Sequence, residues 1–124
     1  MEDGGYYEKG LEALKAGDNE AAIKLLEEAS RNTPDDWRVF NVLGAAYAGK
    51  GLYEKAIGAF KAAEQLAPKV ASIHYNIAQA YEAAGIFSEA DYEYEKALQI
   101  DPNYAKAKSA REALRERMKH LKQQ

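Results

Sequence analysis

The chain has 124 residues, 17 Lys and Arg against 20 Asp and Glu, a formal charge of −3, 47% hydrophobic residues and no cysteine. The apolar share suffices for a folded core, the near-balance of charge argues against whole-domain nucleic-acid binding, and disulfides, Cys-based zinc sites and thiol nucleophiles are excluded. No apolar run approaches the roughly 18 residues of a membrane span and the acidic start lacks a signal-peptide core, so no membrane partner and a cytoplasmic location are expected.

Taken in order, the chain reads as pairs of helices. In residues 3–36, Tyr6, Gly10 and Ala13 share one helix, and Ala22, Leu26 and Ala29 a second. Gly17 lies between them and Pro34 follows. In residues 37–70, Phe40, Leu43, Gly44 and Tyr47 have the i, i+3, i+4, i+7 spacing of one helix face. Ala56, Ile57, Phe60, Ala63 and Leu66 mark the next helix, with Gly51 before it and Pro68 after it. Residues 71–104 repeat the plan with His74, Ile77, Ala78 and Tyr81, then Gly85, then Ala90, Tyr94 and Ala97, then Pro102. Glycine at the junctions suits a positive φ, and proline stops each second helix. Asp35 and Asp36 are placed to cap the helix that follows, and Asn103 the last one. Residues 105–124 form a single helix with an apolar stripe at Ala107, Ala110, Leu114, Met118 and Leu121.

The spacing is a strict repeat. Pro34, Pro68 and Pro102 are 34 residues apart, as are Gly17, Gly51 and Gly85, and Ala22, Ala56 and Ala90. Gly10, Gly44 and Ala78 stand in one column, and Leu26, Phe60 and Tyr94 in another, so close helix approach at a small residue is filled by a large one nearby. The pattern Phe40-x2-Leu43-Gly44-x2-Tyr47, then Ala56-x3-Phe60, then Pro68 resembles a tetratricopeptide repeat. Residues 71–104 match it well. Residues 3–36 match less closely, with Lys9 and Ala13 where Leu and Tyr are expected. Asp91 departs from a column otherwise held by Ile23 and Ile57.

The resemblance implies an all-α fold: a right-handed superhelical array of helix-turn-helix repeats, an α-solenoid. One domain, 1–124, would hold repeats at 3–36, 37–70 and 71–104 and a C-terminal capping helix at 105–124. It also implies a non-catalytic scaffold that binds a peptide or helix of a partner protein in a concave groove. The groove side of each first helix holds Tyr7 and Leu11, then Arg38, Asn41, Val42 and Ala45, then Tyr75, Asn76 and Gln79, with Lys106 on the closing helix. The amides suit an extended peptide backbone, the tyrosines offer flat area with a polar tip, and Arg38 and Lys106 suit an acidic group. Glu82 lies on the same side. One family subtype clamps the terminal carboxylate of heat-shock chaperones. Aligned to best advantage, its five positions are Asn41, Ala45, Asn76, Lys106 and Ala110, of which only Asn76 and Lys106 agree, so no such clamp is expected.

The closing segment has 7 basic and 2 acidic residues, a net +5, against −8 for residues 1–104. The alternative function is therefore weak homo-oligomerisation through a basic end and an acidic body. No enzyme chemistry converges. Gly44 to Lys50 spells Gly-x4-Gly-Lys, but Gly51 follows where a phosphate-binding loop needs Ser or Thr. His74 stands in the packing column of Tyr6 and Phe40, and His120 is remote from it. Asp91, Glu93 and Glu95 read as a solvated face. No metal, cofactor or nucleic-acid partner is expected.

Overall fold

The computed structural model describes residues 4–123. They form α1 (Tyr6–Lys15), α2 (Asn19–Asn32), α3 (Trp37–Gly49), α4 (Tyr53–Leu66), α5 (Ala71–Ala83), α6 (Phe87–Ile100) and α7 (Ala105–Lys122), with no strand among the described residues. This is an all-α helical-repeat array. No helix among the described residues is long and apolar enough to cross a membrane.

The three glycine junctions share one geometry. Gly17, Gly51 and Gly85 have φ of 83°, 77° and 80°. At the second, the Leu52 N–H donates to the Tyr47 carbonyl at 2.9 Å and the Gly51 N–H to Ala48, also at 2.9 Å. This Schellman arrangement satisfies carbonyls that a helix end leaves open, and the left-handed residue at its centre favours glycine. The same pair of bonds recurs at Gly17–Asp18 and Gly85–Ile86. Asp18 and Asp36 cap α2 and α3, accepting from the N–H groups of Ala21 and Arg38 at 3.1 Å each. Asn103 does not take the capping role expected of it. Tyr104 holds that place on α7 without a side-chain bond, and the Asn103 N–H is turned onto Asp101 Oδ1 at 3.0 Å.

The described helices fall into two compact units, one up to Pro68 and one from Lys69 onward. In the first, α1 packs on α2, α2 on α3 and α3 on α4. Ala22, Leu26, Leu43, Ala46 and Ala59 form a buried cluster, flanked by Leu14, Ile23, Val42 and Tyr47. The phenol of Tyr47 donates to Glu27 at 2.6 Å. Burial and that carboxylate push its pKa up to about 12.

In the second unit α5 packs on α6 and α6 on α7. Ala78, Ala90, Tyr94, Ala97, Ala107 and Leu114 are fully buried together. A large side chain buried to that degree stabilises the fold by about 2 kcal/mol. His74 is buried as its column requires, and its Nδ1 lies 2.8 Å from Glu93 Oε1. Of the acids read as a solvated face, Glu95 is 47% exposed but Glu93 and Asp91 are not solvated. Glu93 is 12% exposed beside His74, and Asp91 is 19% exposed and ion-paired with Arg111 at 3.0 Å and Arg115 at 3.1 Å. Arg111 also reaches Glu95 at 3.1 Å. They divide between the neighbouring helices: α5 takes Glu93, and Arg111 of α7 takes both Asp91 and Glu95. Gly44 to Gly49 lie within α3, so the phosphate-loop spelling is helix.

Candidate functional site

In the first unit, the expected ligand-facing residues lie on α1 and α3. Tyr7 and Arg38 meet: the guanidinium carbon is 6.0 Å from the ring centroid. Arg38 is also held by Asp36, with Nε donating to Oδ1 at 3.1 Å and Nη2 to Oδ2 at 3.0 Å. The hydrogen bonds from Arg38 keep the Asp36 carboxyl below its ordinary range against the opposing effect of burial. Asp36 raises the Arg38 guanidinium in turn, first through that bond and then through its charge. A ligand carboxylate at Arg38 would therefore compete with Asp36. Leu11, Asn41, Val42 and Ala45 are each partly exposed, and Val42 also packs against the buried cluster.

In the second unit, Tyr75 on α5 is the centre of an aromatic group. Its ring stacks on Tyr104 with centroids 5.4 Å apart and planes at 27°, and lies 6.0 Å from Tyr94 at 53°. Tyr104 was absent from the residues chosen by sequence. Its one signal was its place two positions before Lys106. Burial, then Tyr75 and Asp101, raise its pKa. Gln79 donates from Nε2 to the Tyr94 hydroxyl at 2.5 Å, and that hydroxyl donates to Glu82 Oε1 at 2.8 Å. Burial, then the bond to Glu82, pushes the Tyr94 phenol up and keeps it protonated. The chain Gln79–Tyr94–Glu82 holds two polar side chains of α5 in place. Asn76 is partly exposed on the same helix, and Lys106 is exposed in the first turn of α7.

The structure thus brings Tyr7 to Arg38, and Gln79 to Glu82 through Tyr94. It adds Tyr104 to Tyr75. Among the described residues, no three His, Asp or Glu side chains gather as a metal cage.

Two family models described as tetratricopeptide repeat match the chain, at residues 7–71 and 71–104. The chain belongs to the tetratricopeptide repeat family. It is 31% identical over 99 residues to the Superkiller complex protein 3 of Mus musculus, covering 80% of this chain and 6% of that protein. The chain therefore spans a small fraction of that relative's length. Among solved structures it is similar to the first tetratricopeptide domain of Spaghetti (RPAP3) bound to the HSP90 peptide SRMEEVD. The TM-score is 0.86 at 20% identity, covering 91% of this chain and 90% of that one. It is also similar to the Yersinia enterocolitica type III secretion chaperone SycD in complex with a peptide of the translocator YopD. There the TM-score is 0.84 at 21% identity, covering 91% and 92%. At these identities the structural likeness speaks for the fold.

Proposed function

We propose that the chain is a non-catalytic protein-interaction scaffold that binds a peptide or helical segment of a partner protein. The stacked pair Tyr75–Tyr104, with Asn76 and the positioned Gln79 beside it, carries the reading. Flat rings that are already packed lose little freedom on binding, and amides meet a peptide backbone with both donors and acceptors. Tyr7, Leu11, Arg38, Asn41, Val42 and Ala45 offer a second polar and aromatic face in the first unit. Peptides bound to the RPAP3 domain and to SycD support the class of ligand. An acidic chaperone tail is not the ligand proposed here, because only Asn76 and Lys106 agree with the clamp pattern. The repeats at 3–36, 37–70 and 71–104 and the closing helix at 105–124 are proposed to serve as one binding domain.

Self-association through the charged ends draws less support, because Arg111 and Arg115 are matched within the chain by Asp91 and Glu95. The proposed affinity is modest, roughly micromolar or near −8 kcal/mol. Peptides selected from a random displayed library would supply ligands for titration calorimetry. Tyr75→Ala and Asn76→Ala should each weaken the selected peptides about tenfold, a loss of about 1.4 kcal/mol, with helicity retained. Unchanged affinity in both variants would sink the assignment of this face.

A further inference from the structure

Helices α3 and α5 have 13 residues each and α7 has 18. Counted from Ala105, the first 13 residues of α7 end at Arg117, and Met118–Lys122 is the surplus. The surplus continues the apolar stripe instead of ending it. Met118 is partly buried, while Leu121 is 48% exposed.

Between this extra turn and the start of α6 lies a shallow cavity of about 300 Å³, lined by Phe87, Ser88, Glu89, Met118, Leu121 and Lys122. A second cavity of about 250 Å³ adjoins it and shares Met118 and Lys122. Arg117 lies over the Phe87 ring, 4.7 Å from its centroid. Ile86, just before Phe87, is 42% exposed.

The α7 side of the cleft is mostly basic, with Arg115, Lys119 and Lys122, and the α6 side carries Glu89 and Asp91. The carboxylate of Asp91 is already matched by Arg111 and Arg115. Glu116 faces both Lys119 and His120 at 3.8 Å. Lys122 makes no ion pair among the described residues, and Arg117 meets a ring instead of a carboxylate. Glu89 is the one acid in the lining of the larger cavity.

We propose that this α6–α7 cleft is a second docking site, separate from the Tyr75 face. Its occupant is a partner segment with one or two large apolar side chains flanked by carboxylates. An apolar side chain seated against Phe87, Met118 and Leu121 removes exposed apolar surface from water. Flanking carboxylates meet Arg117 and Lys122, which steer an acidic segment in and repel a basic one. Met118 still packs on the buried core of the second unit, but Leu121 continues the apolar stripe beyond it, 48% exposed, with Lys122 beside it.

The test is a titration of 15N-labelled protein with two synthetic peptides. Both carry Leu and Phe three residues apart; one fills the flanks with Glu and Asp, the other with Lys. The acidic peptide should shift the amides of Phe87, Ser88, Met118, Leu121 and Lys122 saturably and bind at least tenfold tighter than the basic one. Leu121→Glu with Lys122→Glu changes two exposed residues, leaves the circular dichroism spectrum intact and should weaken binding at least tenfold. Tyr75→Ala should leave it unchanged, which separates this site from the proposed peptide face. Equal binding of the two peptides, no saturable shift, or shifts confined to Tyr75, Asn76 and Tyr104 would overturn the proposal. So would a concentration-dependent dimer that Leu121→Glu returns to monomer, since the occupant would then be a second copy.

Discussion

In the first unit, Gly44 lies against the Phe60 ring so closely that a Cβ there would sit 2.5 Å from two ring carbons. In the second unit, the residue 34 positions later is Ala78, and the ring in the Phe60 column belongs to Tyr94. The repeat thus keeps positions and changes their contents in sets. Leu26 goes with Leu11 and Leu14, Phe60 with Ala45 and Ala48, and Tyr94 with Gln79 and Glu82. Only the last set makes hydrogen bonds, through the Tyr94 hydroxyl. A second contrast separates α2–α3 from α6–α7. Ile23 packs against the cluster that contains Leu43. Sixty-eight residues on, the same columns hold Asp91 and Arg111, joined at 3.0 Å. One frame therefore closes the first unit with apolar contacts and the end of the second with an ion-pair network.

The sharpest way to break the first contrast is Gly44→Ala. The new methyl meets a buried ring, 3% exposed, whose carbons must move as one plate. The expected loss is about 3 kcal/mol, read as a fall in the urea midpoint without change in slope. Gly10→Ala should cost less, because the Leu26 side chain it meets at 2.6 Å is more flexible than a ring. Equal losses at the two sites would show that ring rigidity is not the cause.

The helices, their glycine junctions and their prolines were legible because the 34-residue spacing exposes them without knowledge of partners. The same spacing made legible which residues share the side of each first helix that is proposed to face a ligand. What each side chain on that face touches was not. Arg38 reads as an open cation until Asp36, two residues back, is seen to hold it. Gln79 reads as an open amide, yet one N–H goes to Tyr94, 15 residues on. Tyr104 stacks on Tyr75 across 29 positions, a separation that no helical period reveals. Asp91 broke an apolar column because its partner is Arg111, a residue that breaks the facing apolar column in turn.

That paired break yields the second prediction. Arg111→Ala removes the bonds to Asp91 and Glu95 and leaves Asp91, 19% exposed, with Arg115 alone. A loss of about 2 kcal/mol at neutral pH is expected. Burial pushes the Asp91 carboxyl up, but hydrogen bonds from Arg111 and Arg115 outweigh it, and the carboxyl lies below its ordinary 3.8. A carboxylate depressed by folding contributes its full stability above the unfolded value and loses it as pH falls through the folded one. The wild type should therefore lose stability below about pH 4, and Arg111→Ala should lose less over the same interval. Parallel acid limbs in the two proteins would show that Asp91 does not titrate through this pair.

The smallest effect compares the two rings directly. Tyr94→Phe removes a hydroxyl that accepts from Gln79 and donates to Glu82, at a cost of about 1 kcal/mol. Both former partners lie on α5, and Gln79 is exposed enough to turn to water, which keeps the cost low. The reciprocal change, Phe60→Tyr, places a hydroxyl where the matching positions are Ala45 and Ala48 and neither side chain can bond it. It should cost at least as much, because a buried hydroxyl without a partner keeps its desolvation penalty. Adding Ala45→Gln and Ala48→Glu to Phe60→Tyr should recover part of that loss by rebuilding the hydrogen-bonded set of the second unit. If thermal unfolding finds the triple variant less stable than Phe60→Tyr alone, the three columns do not act as a set, and the polar chain is a property of α5 and α6 alone.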